Sequence, residues 1–205
     1  MDKWNQLASI ETVDKTIEAL KANGIDAKFV KTGEDAKEQV FSMIPEGAEV
    51  MTMSSVTLDT LNISKQVQES GKYKSVKNQL NSMNRETQGE EMLKIGSAPD
   101  WSIGSVHAVT EDGHVLIASN TGSQLPSYAG GASHVVWVVG TQKIVKDTDE
   151  GMKRIYEYVL PLESDRLNKA YNMTAGSFVS KILIINREIK PNRITVIFVG
   201  EKLGF

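Results

Sequence analysis

Amphipathic helices alternate with short apolar strands over the first third of the chain, and this alternation restricts the fold more than any other feature. Apolar residues recur at helical spacing over residues 9–23, and the Thr32–Asp35 pair is typical of the capping box that opens a second helix. Short strands are predicted at 27–30 and 49–53, and a third helix is predicted over residues 54–69. This order is typical of a parallel sheet covered by helices on both faces. The sequence therefore predicts an α/β fold.

The second half of the chain adds further β-branched apolar runs. The segments that we expect to form one sheet are residues 49–53, 115–118, 134–139, 181–186 and 194–199. Residues 71–104 are polar, and only a short helix near 90–94 is predicted within them. Because no repeat or linker divides the chain, we expect a single domain over residues 1–205.

Composition excludes several classes of function. The formal net charge of −3 argues against a nucleic-acid-binding surface. The chain has no cysteine, which excludes disulfides, zinc–thiolate sites, iron–sulfur clusters and a cysteine nucleophile within it. Residues 1–5 lack the apolar stretch of a signal peptide, and no apolar run is long enough to span a bilayer. We therefore expect a cytoplasmic protein with no membrane insertion.

Three hydroxyl side chains, Ser54, Ser55 and Thr57, lie between a predicted strand and a predicted helix. Ligands of α/β proteins bind beyond the carboxyl ends of strands, where helix N-termini offer N–H donors to anions. The same serines also suit a plain helix cap, and Asp59 in the first turn would repel an anion. The pattern predicts either an anion-binding loop or a capped helix.

A second polar loop follows the strand at 115–118 and contains Asn120, Thr121 and Gly122. Such a loop can surround a ligand with backbone donors, although any exposed loop has a similar composition. We expect this loop, within residues 119–131, to share one pocket with the three hydroxyls.

The histidines do not predict a metal site. A two-residue turn at Asp112–Gly113 would place His114 opposite Glu111 and His107 opposite Ala118. Strand alternation would then send the two histidines to opposite faces of the sheet. No metal and no cofactor is therefore predicted from these residues.

Glu111 stands at the tip of this predicted hairpin, and two interpretations stay open. Asp112–Gly113 is a strong signal for a tight turn, so Glu111 can be an ordinary solvated turn residue. A carboxylate held on a rigid turn can also serve as a nucleophile or a general base.

Four segments of the chain, in matching order, resemble the LUD-domain family of lactate-utilisation proteins. They are Val106–Ser119, Val138–Val145, Tyr158–Ser164 and Val196–Phe205. The likeness extends from about Val50 to Phe205. It implies the fold of the superfamily that contains CoA transferases, sugar-phosphate isomerases and formyltetrahydrofolate cyclo-ligase, which is a three-layer α/β/α sandwich with a largely parallel sheet.

The resemblance also implies a role for Glu111. The family pattern Ala-Glu-Thr-Gly corresponds to residues 110–113, where Glu111 and Gly113 match while Thr110 and Asp112 differ. CoA transferases have a similar Glu-x-Gly, in which the glutamate is the nucleophile that takes up CoA. The family's part in oxidising lactate or a related 2-hydroxy acid implies iron–sulfur proteins as partners.

Three functional hypotheses follow. The first is an accessory protein of lactate utilisation that binds a small anionic metabolite or nucleotide at the Ser54, Ser55 and Thr57 loop, with Glu111 and His114 at the rim of the pocket. The second is an acyl- or CoA-transferring enzyme that uses Glu111 as its nucleophile. The third is a structural protein that docks partner proteins through residues 71–104.

Overall fold

A six-stranded parallel sheet forms the centre of the computed structural model, which describes residues 2–171 and 176–205. The strands of the described residues are β1 (Asp26–Val30), β2 (Glu49–Thr52), β3 (Lys74–Ser75), β4 (Trp101–Gly104), β5 (Ala108–Thr110), β6 (Val115–Ser119), β7 (His134–Gly140), β8 (Ile144–Val145), β9 (Lys181–Ile185) and β10 (Ile194–Val199). The order in this sheet is β1-β10-β7-β4-β2-β3, and every neighbouring pair is parallel.

The helices lie on both faces of the sheets. The α-helices of the described residues are α1 (Ile10–Ala22), α2 (Gly33–Met43), α3 (Val56–Thr60), α4 (Ile63–Glu69), α5 (Val76–Ser82), α6 (Arg85–Ser97), α7 (Thr148–Arg154) and α8 (Leu160–Tyr171). The predicted capping box of α2 is present, because Thr32 Oγ1 accepts from the Asp35 amide and Asp35 accepts from the Thr32 amide. None of these helices is both long enough and apolar enough to cross a membrane.

The remaining four strands form a second, smaller sheet in the order β8-β5-β6-β9. Strand β6 pairs antiparallel with both β5 and β9, for example through Leu116 and Ile184. The prediction that residues 115–118 and 181–186 join the parallel sheet is therefore wrong. Alternating and β-branched patterns identify a strand, but its partner depends on tertiary packing that a local pattern does not contain.

Two hydrophobic layers enclose the parallel sheet. On one face, α2 to α4 bury Val40, Leu58 and Ile63 against it, and on the other α1 and the second sheet bury Leu20 and Val115. The outer face of the second sheet packs on the helical segment from α7 to α8. The chain thus has an α/β/α arrangement, which agrees with the fold class expected from the sequence.

Two of the predicted helix boundaries differ from the structure. The helix predicted over residues 54–69 is interrupted between α3 and α4, where Asn62 adopts a left-handed φ of 55°. Pro161 does not end a helix, because the π-helical segment Ile155–Val159 joins α7 to α8. A wider helical turn accommodates a residue that lacks an N–H donor.

Residues 71–104 are more ordered than their polar composition predicts. They contain β3, α5, α6 and β4, so the short helix predicted near 90–94 is part of α6. Strand β4 has four buried residues and lies between β2 and β7 in the parallel sheet. This position matters for function, since the residues after β4 reach the candidate site.

Candidate functional site

A cavity of about 540 Å³ lies beyond the carboxyl ends of three adjacent parallel strands, β2, β4 and β7. Ser54 and Ser55 follow β2, Ser105 and His107 follow β4, and Lys143 follows β7. Carboxyl ends of parallel strands meet at one edge of a sheet, which is the usual position of ligand sites in open α/β folds. The volume is in the range of small-molecule sites.

The three predicted hydroxyl residues all line this cavity, and each has a different local partner. Ser54 Oγ accepts a hydrogen bond from Lys77 Nζ at 2.9 Å. Ser55 is the N-cap of α3 and accepts from the Leu58 amide at 3.5 Å. Thr57 is buried. Capping and lining the cavity are therefore compatible roles for Ser55.

The loop after β6 contributes Asn120 and Thr121 to the same cavity, whereas Gly122 is absent from its wall. Gly122 has a structural part instead: its φ is 87°, and its N–H donates to Ser119 Oγ at 2.8 Å. The structure thus brings together five of the predicted binding residues. Their ligand binding stays a prediction.

Lys143 is a cavity residue that sequence analysis missed. It is only 2% exposed, and its Nζ lies 3.1 Å from Ser105 Oγ and 3.4 Å from Thr57 Oγ1. Burial, together with the positive charge of Arg154, holds the pKa of Lys143 well below its usual range. The available signal was a lysine between the apolar run of β7 and the apolar pair of β8.

The chain segment at Leu203–Phe205 closes the site next to Lys143. Thr57 Oγ1 donates to the Leu203 carbonyl at 3.2 Å, and Gln142 Nε2 donates to the same oxygen at 3.0 Å. Gly204 has a φ of 62°, and a Cβ on it would lie 2.6 Å from Thr57 Oγ1. A glycine is therefore needed for this close approach.

Arg154, which sequence analysis also missed, lies behind the cavity wall and is fully buried. Its Nη1 donates to the His107 carbonyl at 2.5 Å, and its guanidinium lies 5.2 Å from the ring centroid of Tyr158. Its Nε and Nη2 have no hydrogen-bond partner among the described residues. Burial lowers the pKa of Arg154 to about 10, so it stays charged near neutral pH. The available signal was its position on the buried face of a helix, beside Ile155.

The positive charges of Lys143 and Arg154 lack the compensation that another buried arginine receives. Arg193 pairs with Glu188 and donates to the carbonyls of Ser127 and Tyr128. By contrast, neither Lys143 nor Arg154 forms an ion pair with a carboxylate in residues 2–171 and 176–205. Buried charges are normally paired, so this cluster is prepared for a negative charge from outside the chain.

His107 lines the cavity and is neutral near physiological pH. Burial and the charges of Lys143 and Arg154 lower its pKa to about 3. Its Nδ1 accepts from the Ala118 amide at 3.1 Å, so the ring proton of the neutral form is on Nε2. Across the part of the chain that the structure describes, no three acidic or histidine side chains are grouped as metal ligands.

The hairpin turn at Glu111 differs from the predicted two-residue turn. Thr110 pairs with His114, and the Gly113 amide donates to the Thr110 carbonyl at 2.9 Å. Gly113 has a φ of 85°, while Asp112 is not left-handed, which is the pattern of a three-residue loop with a glycine bulge. His114 therefore lies opposite Thr110 instead of Glu111, and the register of β5 with β6 is shifted by one residue from the prediction.

This turn packs on α1, away from the cavity wall. Glu111 accepts from Lys15 Nζ at 2.8 Å, and Asn23 Nδ2 donates to the carbonyls of Asp112 and Gly113. Neither Glu111 nor His114 is among the residues that line the cavity. The expected position of Glu111 at the rim is therefore wrong, since the tip of the hairpin leads to α1 while its open end, at His107, leads to the cavity.

Comparisons with known proteins agree with this architecture. A DUF162 family protein from Deinococcus radiodurans superposes with a TM-score of 0.60 at 11% sequence identity, covering 95% of this chain and 99% of that one. The eIF2B delta structure from Chaetomium thermophilum reaches a TM-score of 0.37 at 11% identity, over 71% of this chain and 59% of that one. No curated protein sequence matches the chain. The family model of the LUD domain matches residues 13–199. The chain therefore belongs to the LUD-domain family, which implies a role in lactate utilisation at the level of the family.

Proposed function

We propose that this protein serves lactate utilisation by binding a small anionic metabolite or nucleotide in the cavity at the carboxyl ends of β2, β4 and β7. One observation carries the proposal: Lys143 and Arg154 are buried beside this cavity without a carboxylate partner in the described chain. An anion in the cavity would supply the missing negative charge. The hydroxyls of Ser54, Ser55 and Thr57 would add hydrogen-bond donors.

The charges that line the cavity leave a positive excess. Glu163 is engaged by Arg166 through two hydrogen bonds of 2.7 Å, so this pair is neutral overall. Asp59 and Lys77 contribute one charge of each sign. Protonated Lys143 then adds a positive charge to the wall, and Arg154 adds another behind it. The excess favours an anionic ligand over a neutral or cationic one.

Binding of an anion should be coupled to protonation of Lys143. Without a ligand, burial and Arg154 disfavour the ammonium form. A carboxylate or phosphate near Nζ would favour that form and raise the pKa. Arg154 supplies a permanent charge in either state.

A thermal-shift series tests this proposal with lactate, pyruvate, phosphate, ATP and CoA as probes. A ligand at about 100 times its dissociation constant stabilises by roughly 2.7 kcal/mol, which raises Tm by about 5–10 °C for a chain of this size. Lys143→Met should abolish the response. Lys15→Met, which removes a lysine far from the cavity wall, should preserve it.

The acyl- or CoA-transfer hypothesis based on Glu111 receives no such support. Glu111 is engaged by Lys15 on α1 and is absent from the cavity wall. The expected iron–sulfur partner proteins stay part of the proposal, because the chain itself has no cysteine with which to hold a cluster. Co-purification of such a protein with the full chain is the direct test.

A further inference from the structure

Three side chains from separate parts of the fold form a hydrogen-bonded row on the cavity wall. Ser105 follows β4, Lys143 lies in the 3₁₀ turn Thr141–Lys143, and Thr57 lies in α3. Lys143 Nζ is 3.1 Å from Ser105 Oγ and 3.4 Å from Thr57 Oγ1. All three line the cavity, so the row is open to a bound molecule.

The direction of the hydrogen bonds along this row follows from its fixed end. Thr57 Oγ1 donates its proton to the Leu203 carbonyl at 3.2 Å, so this oxygen acts as acceptor toward Lys143. When Lys143 is an ammonium, it donates to both hydroxyl oxygens. When it is a neutral amine, one N–H still donates to Thr57, and the lone pair is left to accept the proton of Ser105. Burial lowers the pKa of Lys143 and thereby favours this second state.

We propose that Ser105 is a nucleophile activated by Lys143, and that the pair transfers acyl groups from an ester or a thioester bound in the cavity. A nucleophile within hydrogen-bond distance of a base, which is itself oriented by a third group, is the arrangement that covalent catalysis requires. Thr57 is the positioning residue, because it holds Nζ from the side opposite Ser105. This activity is separate from anion binding and does not depend on it.

The steps balance within the pair. As Ser105 Oγ bonds to the acyl carbon, its proton passes to Lys143 Nζ. The bond from the acyl carbon to the leaving oxygen or sulfur then breaks, and the leaving group takes that proton. Water or another acceptor next attacks the acyl-serine and gives its proton to Lys143, which returns the proton to Ser105 as the acyl group leaves. No oxidant, reductant or metal enters the sequence.

Incubation of the full chain with p-nitrophenyl acetate, followed by peptide mass mapping, tests the proposal. The expected result is release of p-nitrophenol and an acetyl group on Ser105. General-base assistance contributes about 10²–10⁴-fold, so Lys143→Met should slow acetylation at Ser105 by at least about 10²-fold. Ser64→Ala is the matched control, since Ser64 also lines the cavity and is half-buried. It should leave acetylation at Ser105 unchanged.

A second variant separates loss of chemistry from loss of folding. The chain has no cysteine, so Ser105→Cys places a single thiol in it, and iodoacetamide then reports on this position alone. The rate of alkylation should fall markedly when Lys143→Met is added to Ser105→Cys. Thr57→Val should move the pH midpoint of that rate while leaving the thiol accessible in the denatured protein.

Specific results would overturn the proposal. They are an absence of acetyl-Ser105 in the wild type, acetylation of Lys143 itself, an unchanged rate at Ser105 in Lys143→Met, and an alkylation rate in Ser105→Cys that does not respond to Lys143→Met. The thermal-shift series with anions is read independently, so a failure of acyl transfer does not imply a failure of anion binding.

Discussion

Glu111 accepts a hydrogen bond from Lys15 at 2.8 Å, and this contact joins the β5–β6 turn to α1. Two further hydrogen bonds from Asn23 to the carbonyls of Asp112 and Gly113 attach the turn to the same helix. The hairpin is therefore held at its tip by α1, and the opposite end of β5 leads into His107 at the cavity. The contacts of Glu111 are those of a residue that positions a structural element.

Glu111→Gln is expected to leave the response to anions intact. The substitution keeps the shape of the side chain and removes only its charge, which faces an exposed lysine. Because an exposed ion pair is screened by solvent, Tm should fall only slightly. The thermal-shift series with the anionic probes measures both quantities. A lost response in Glu111→Gln, with the wild-type fold retained, would contradict the assignment of Glu111 to α1.

Lys143→Met is expected to stabilise the protein while it removes function. The variant replaces a buried, unpaired amine with an apolar side chain of similar length, and such replacements often raise the free energy of unfolding by about 1–2 kcal/mol. Chemical denaturation measures this difference. A decrease of the same size would show that the hydrogen bonds to Ser105 and Thr57 outweigh the cost of burial.

The stability gained in Lys143→Met should depend on pH in a defined direction. The folded-state pKa of Lys143 is lowered, so between that value and about 10.5 the unfolded chain binds a proton that the folded protein does not. Wild-type stability therefore rises with pH across this window. The advantage of Lys143→Met should be greatest at low pH and should disappear as the pH approaches 10.5. Denaturation of both proteins over a pH series checks the sign.

His107 is expected to make the protein sensitive to acid. Its folded-state pKa is about 3 against an ordinary value of 6.5, so acidification between these values protonates the unfolded chain first. The stability that neutral His107 provides is fully present above about pH 6.5, is lost as pH falls toward 3, and amounts to a few kcal/mol in order of magnitude. His107→Gln should flatten this dependence, because its amide oxygen can still accept from Ala118. Nitrogen NMR of the wild type should show the Nε2–H tautomer near pH 5.

Gly204→Ala is expected to disturb the cavity from the side of the chain end. The new Cβ would lie 2.6 Å from Thr57 Oγ1 on a backbone with a φ of 62°. A residue with a side chain is strained there, so a loss of about 1 kcal/mol or more is expected. The alkylation rate in the Ser105→Cys background should also change, since Thr57 holds Lys143. Gly47→Ala, at a similar φ of 82° but with open space around it, is the control for backbone strain alone.

Local patterns predicted the helices and strands of the first half well, because the determinants are close in sequence. The capping box of Thr32 and Asp35 needs only residues three apart, and it is present in the structure. Strand β6 was recognised as a strand, but its pairing with β9 connects residues more than sixty positions apart. Nothing local distinguishes a member of the parallel sheet from a member of the second sheet.

The site was predicted only in part for a related reason. Ser54, Ser55 and Thr57 are recognisable because hydroxyls at a strand-to-helix junction have a local meaning. Lys143 and Arg154 gain theirs from what surrounds them in space: the absence of a carboxylate among the described residues, which no sequence window reveals. Glu111 misled because a tight turn favours a charged residue whether or not a ligand lies nearby.

The wall formed by Leu203–Phe205 has a practical consequence for how this protein is handled. The Leu203 carbonyl anchors Thr57, Gly204 touches it, and Phe205 lines the cavity. Any residues joined after Phe205 begin at the mouth of the site and share its electrostatic field. An affinity tag placed there would act as a tethered occupant and change every measurement described above, whereas a tag before Met1 would start from a different part of the chain.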